Sequence, residues 1–116
     1  MKSITLHIGG QERIFYFGLG FLGNFLEKSG IEMSEIDNKI KENPFKWIPE
    51  IMYYSAIFGF TRKNEFADFD AFDVAEWIDE VGIDSPIISQ FFTAFQQSLV
   101  KNVPEEKEVK KKVTKK

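Results

Sequence analysis

Residues 12–28, ERIFYFGLGFLGNFLEK, limit what this chain can fold into more than any other stretch. Arg13 to Phe17 alternate in the manner of a strand, and Leu19 to Lys28 carry the spacing of a helix. No linker separates them; the join is made of Gly18, Gly20 and Gly23. A strand that runs directly into a helix ties both to one core. The residues before this stretch are then expected to pair with the strand, and those after it to pack on the helix.

The preceding residues suit that pairing. Ile4, Leu6 and Ile8 alternate with Ser3, Thr5 and His7, the period-two pattern of a half-buried strand. Gly9-Gly10 supplies a two-residue hairpin turn. The return strand places Phe15 and Phe17 on one face and Ile14 and Tyr16 on the other. A lone hairpin is marginal in water, so this one must lie on helices.

The helices come in order along the chain. In residues 19–29, Leu19, Leu22 and Leu26 form a stripe with Phe21 and Phe25 beside it, and Gly30 fits the C-cap. Gly20 and Gly23 each cost about 1 kcal/mol against alanine inside a helix, which implies close packing there. Residues 34–42 start at an N-cap, Ser34, and put Ile36 and Ile40 on one face. Asn43 and Pro44 open a stretch from 44 to 59. Within it Pro49 implies either a separate turn over 44–48 or a kinked helix. From Pro49 to Phe58 it is apolar nearly all round, as a central buried helix is. Gly59 is expected to end it. After a polar loop holding Phe66 and Phe69, Asp70 caps residues 70–81, with Asp73 three positions on. Ala71, Val74, Trp77, Ile78 and Val81 form its inner stripe. Ser85 and Pro86 open the last helix, 85–101. The expected fold is therefore α+β. An N-terminal antiparallel hairpin over 3–17 packs on a mainly helical body of about five helices, one domain spanning 1–102. Residues 103–116 are charged and of low complexity, and are expected to be a disordered, lysine-rich tail.

Charge and composition narrow the chemistry. The chain of 116 residues has no Cys and a single His, His7, so disulfides, thiolate chemistry and multi-histidine metal sites are excluded. Its net charge of −3 conceals a split. Residues 1–100 carry 8 basic and 15 acidic side chains, whereas residues 101–116 carry 7 lysines and 3 glutamates. An acidic body disfavours nucleic acid as a ligand. The lysine-rich end has no aromatic interleaving and reads as a solubilising extension. No apolar run reaches membrane-spanning length and no signal peptide is evident, so a cytoplasmic protein without membrane contact is expected.

Three motifs suggest chemistry, and each has a plainer explanation. Gly18, Gly20 and Gly23 spell G-x-G-x-x-G between a strand and a helix. A dinucleotide site also needs a parallel strand after the helix, and residues 29–37 contain no apolar strand run. The glycines read as a turn and a packing device. Asp68, Asp70, Asp73 and Asp79 echo a calcium loop. Phe72 and Asp73 then fall at its fifth and sixth positions, where a ligand and a glycine belong. The pairs Asp73/Glu76 and Asp79/Glu80 lie on a polar helix face with no partner group. No catalytic residue, cofactor or metal ligand is assigned, and the chain reads as non-enzymatic.

The remaining peculiarity is the aromatic surplus, with 13 Phe, 3 Tyr and 2 Trp. Ile87, Ile88, Phe91, Phe92 and Phe95 make a broad stripe on the last helix. It either seals the hairpin and central helix, or offers part of itself to amphipathic partner helices or to another copy of the chain. Phe66, Phe69, Ile88, Phe91, Phe92 and Phe95 are the candidate partner contacts.

The order of features resembles the tail assembly chaperones of long-tailed bacteriophages. The stretches that carry the resemblance are Arg13-Ile-Phe-Tyr-Phe17, Phe25-Leu-Glu-Lys28, Trp47-Ile-Pro-Glu-Ile-Met-Tyr-Tyr-Ser-Ala56 and Phe72-Asp-Val-Ala-Glu-Trp-Ile-Asp-Glu80. The resemblance covers about residues 3 to 81. The resemblance implies a protein of the host cytoplasm that coats the helical tape measure protein while tail tube subunits polymerise, and that is absent from the finished virion. The tape measure protein and the tail tube protein are the implied partners, and the apolar stripe of the last helix adds self-association as an expectation. Such families often have a longer frameshifted form. Two other readings stand beside it: a structural tail or head–tail component retained in the virion, and a small host protein-interaction domain.

Overall fold

The structure, a computed structural model, describes residues 3–102. Strands β1 (Ser3–Ile8) and β2 (Gln11–Tyr16) form an antiparallel hairpin. Five α-helices come after it: α1 (Leu19–Ser29), α2 (Ile36–Glu42), α3 (Pro44–Arg62), α4 (Ala71–Val81) and α5 (Pro86–Asn102). A short 3-10 turn, Met33–Glu35, leads into α2. The α+β architecture is the one the sequence predicts. The tail expected over 103–116 lies outside the described residues.

Gly9 and Gly10 turn the hairpin at φ +66° and +83°, the left-handed pair that a type I′ turn requires. Ile8 faces Gln11, Leu6 faces Arg13 and Ile4 faces Phe15 across the ladder. These six side chains share the face turned to the helices. Leu6, Ile8 and Phe15 are buried there, as is Phe17 just beyond the strand. On the opposite face Ile14 stays nearly half exposed.

Helix α1 starts at Gly18 with no side-chain cap. It ends at Gly30, whose N–H donates to the Leu26 carbonyl at 3.0 Å from a left-handed conformation. Its buried residues are Phe21, Leu22 and Phe25, while Leu19 is 66% exposed. The inward stripe is thus the aromatic side of the expected face. Phe17 enters the core immediately before the helix and sets its phase, which turns Leu19 outward. Of the two helical glycines, only Gly20 is in close contact. A Cβ there would lie 2.4 Å from the Phe58 ring of α3, whereas Gly23 has open space.

The next helix does not begin at Ser34. Glu32 and Glu35 form a capping box, Glu32 N–H donating to Glu35 Oε1 at 2.8 Å, and Ile36 is the buried residue of α2. Helix α3 runs unbroken through Pro49. The missing proline N–H deprives only the Phe45 carbonyl, one turn inside an exposed helix start that solvent reaches. α3 also passes Gly59 and stops in a Schellman motif. Asn64 takes φ +59°, Glu65 N–H donates to the Phe60 carbonyl at 2.9 Å, and Asn64 N–H donates to Thr61 at 3.1 Å. Asp70 and Asp73 cap α4 reciprocally, each side chain accepting the other's N–H at 2.9 Å. Ser85 Oγ accepts the Ile88 N–H at the start of α5.

α3 packs against β2, α1, α2 and α4, and α5 packs beneath β1. The centre is aromatic. Phe15, Phe17, Phe21, Phe25, Phe91 and Phe95 are essentially inaccessible. The Phe17 ring lies 5.2 Å from Phe91 and 6.0 Å from both Phe21 and Phe95, mostly edge-to-face. One set of rings therefore joins hairpin, α1 and α5. Ser55, fully buried on α3, donates its hydroxyl to the Tyr16 carbonyl at 2.9 Å and fastens the central helix to the end of β2.

Candidate functional site

Beside β2 the surface is cut by a groove of about 310 Å³. One wall is the strand, from Gln11 to Tyr16. The other is the C-terminal half of α3, with Ala56, Gly59, Phe60 and Lys63. The loop after α3 closes it with Glu65, Asp68 and Phe69. Alternation in β2 and the helical repeat in α3 bring these residues together. Gly59 permits the approach, since a Cβ there would fall 2.4 Å from the Tyr16 ring.

Arg13 shapes the base of the groove. It lies on the same strand face as Phe15, and its side chain is only 12% exposed. Its guanidinium stacks 4.0 Å from the Trp77 ring centroid and 5.2 Å from that of Phe69. Nε donates to the Ile8 carbonyl at 3.2 Å, Nη2 to Gly9 at 3.4 Å, and Nη1 stands 3.6 Å from Asp68 Oδ1. One side chain thus ties hairpin turn, α4 and the loop after α3. A cation in register with buried phenylalanines is a visible sequence signal, because such a charge needs partners.

The six predicted contact residues do not form one surface. Ile88, Phe91 and Phe95 are core residues, at 3%, 0% and 0% exposure, and are corrected to that role. The hairpin and α1 cover the face of α5 that carries them. Phe92 is half-buried, packed edge-on against Phe91 and Phe95 at 4.9 and 5.8 Å. Phe69 is half-buried in the groove wall, 5.0 Å from Trp77 and 5.8 Å from Phe60. Phe66 stands free, 98% exposed, in the loop that carries Phe69. Of the other exposed large apolar residues, periodicity marks Leu19 as inward and Ile14 as lying on the second strand face, and it passes over Phe72, at 79% exposure, and Phe45, at 74%. Phe72 and Phe45 sit one position inside helix starts, where the periodic pattern is weakest.

His7 is exposed on the outer strand face. Among the described residues no cluster of three or more His, Asp or Glu could hold a metal ion. Among them, too, no helix is long and apolar enough to cross a membrane. The groove offers aromatic surface, a rim of carboxylates with Lys63, and backbone polar groups of β2. Such an arrangement can hold a segment of polypeptide. Comparison with protein-family models, with curated proteins and with solved structures gives no match.

Proposed function

We propose that this chain is a non-enzymatic tail assembly chaperone of a long-tailed bacteriophage, which binds the helical tape measure protein and shields it while the tail tube assembles. The observation that supports the reading most is the exposure of Phe45, Phe66 and Phe72, together with Leu19, around a core already filled by other rings. Large apolar side chains left in water do not help the isolated domain, and they suit contact with the apolar face of an amphipathic helix. Many such subunits along a long helix sum weak contacts into firm but releasable coating. The acidic body, with 15 carboxylates against 8 basic groups in residues 1–100, keeps a coated complex soluble. The proposed setting is the host cytoplasm, with release before the virion is complete.

The contact set is accordingly Phe45, Phe66, Phe72 and Leu19, in place of the buried residues of α5. The experiment is capture of tape measure helical fragments by the purified chain, beside the double variant Phe66→Ser/Phe72→Ser. The reading expects capture by the native chain and loss of it in a variant of unchanged thermal midpoint. No capture, or equal capture by both, sinks the assignment.

A further inference from the structure

β2 has an edge that β1 does not occupy. The turn has two residues, so the flanking pair Ile8–Gln11 exchanges hydrogen bonds, as do Leu6–Arg13 and Ile4–Phe15. The backbone groups of Glu12, Ile14 and Tyr16 therefore point the other way. The Tyr16 carbonyl is taken by Ser55 Oγ. Among the described residues, nothing pairs with the outward N–H and C=O groups of Glu12 and Ile14. α3 is pinned to the edge at Ser55, and the groove opens from there toward the hairpin turn. The unpaired stretch of strand is thus one wall of the groove.

We propose that this edge binds an extended peptide of another protein as a third strand, with apolar side chains at alternate positions against Phe60 and Phe69 and lysine or arginine between them. The free ladder groups select an extended backbone over a helix, whose own backbone groups are already paired. The rim selects the charge. The lining carries Glu12, Glu65 and Asp68 with Lys63 and Arg13; Asp68 and Arg13 pair with each other, and the Arg13 guanidinium is further committed to Trp77 and two carbonyls, which leaves two carboxylates against one ammonium. The size of the groove disfavours a second copy, because a groove of about 310 Å³ walled by α3 admits a few side chains. A neighbouring hairpin would bring its own α3 and loop against those walls. This inference goes beyond the tape measure reading, which concerns a helical partner and aromatic residues elsewhere on the surface.

The test is an NMR titration of the full-length ¹⁵N-labelled chain with a capped seven-residue peptide of alternating valine and lysine. Two further versions carry N-methyl groups on all valine amides or on all lysine amides. In a strand, one of these sets faces β2 and the other faces away. The proposal expects shifts and slowed hydrogen exchange at Glu12 and Ile14, and a loss of about tenfold or more in affinity for one methylated version only. It also expects Glu12→Lys/Glu65→Lys, still folded by its spectrum, to weaken binding about fivefold or more. The proposal is overturned if millimolar peptide moves neither amide, or if neither methylation weakens binding. It is likewise overturned if Glu12 and Ile14 shift with protein concentration alone, since a second copy then holds the edge. None of these failures touches the capture experiment with tape measure fragments.

Discussion

Gly9 is where the hairpin turn meets α4. A Cβ at that position would lie 2.6 Å from the indole of Trp77, and the φ of +66° already disfavours any side chain. Gly10 has the same left-handed demand and open space. Gly9→Ala is therefore expected to cost about 2 kcal/mol or more in urea unfolding, and Gly10→Ala about 1 kcal/mol. Equal losses would mean that Trp77 yields freely. Tyr54 makes a different demand. Burial raises its pKa above the ordinary value, with the neighbouring Glu50 carboxylate and Tyr53 adding to the effect. The unfolded chain then loses the phenol proton first, from about pH 10. This contribution to stability is full below that pH and falls as pH climbs toward the folded value. Tyr54→Phe should leave stability near pH 8 almost unchanged and flatten the alkaline decline in unfolding curves recorded up to about pH 11. An unaltered decline refutes the assignment. Of these residue details, the Gly9-Gly10 turn is legible in the sequence, while the contact with Trp77 joins positions far apart in the chain and is not.

At the scale of elements, local chemistry carries its own address where it closes within one turn. The box of Asp70 and Asp73 is such a case, as are Ser85 with Pro86 and the Gly30 cap. Asp70→Ala should lower stability by about 1 kcal/mol, with the amide of Asp73 exchanging faster with solvent. Where an element boundary depends on competing local signals, sequence reading drifts. Ser34 has the right side chain for an N-cap, yet Glu32 and Glu35 form a two-sided box that takes the position. Gly59 carries the stop signal for α3, but the helix continues to Arg62. Its glycine serves the Tyr16 ring instead, and Asn64 accepts the left-handed stop. The stripe of α1 is legible in period and misplaced in phase by one position, because Phe17, just beyond β2, decides which side of the helix meets the core.

Across the whole molecule the 13 phenylalanines fall into three groups. Six fill the centre, Phe58, Phe60, Phe69 and Phe92 are half-buried at separate places around it, and Phe45, Phe66 and Phe72 face water. Phe91→Ala should cost about 3–5 kcal/mol, enough to unfold a large part of a small domain. Phe72→Ser should shift stability by no more than about 0.5 kcal/mol. Parallel thermal melts separate the two. A large loss at Phe72 would place it in the core and remove it from the contact surface.

By itself the sequence determined the hairpin with its turn, the number of helices and their order, the aromatic character of the core and the acidic body. These arise from period, capping chemistry and charge, all of which act within a few residues. Only the tertiary structure decided which rings are buried, that Arg13 stacks on Trp77, and that β2 keeps an unpaired edge beside a groove. A pattern of apolar positions says that a face is covered without saying by what. On α5 the cover is the chain's own hairpin and α1, so most of the stripe that the sequence offers to a partner is core.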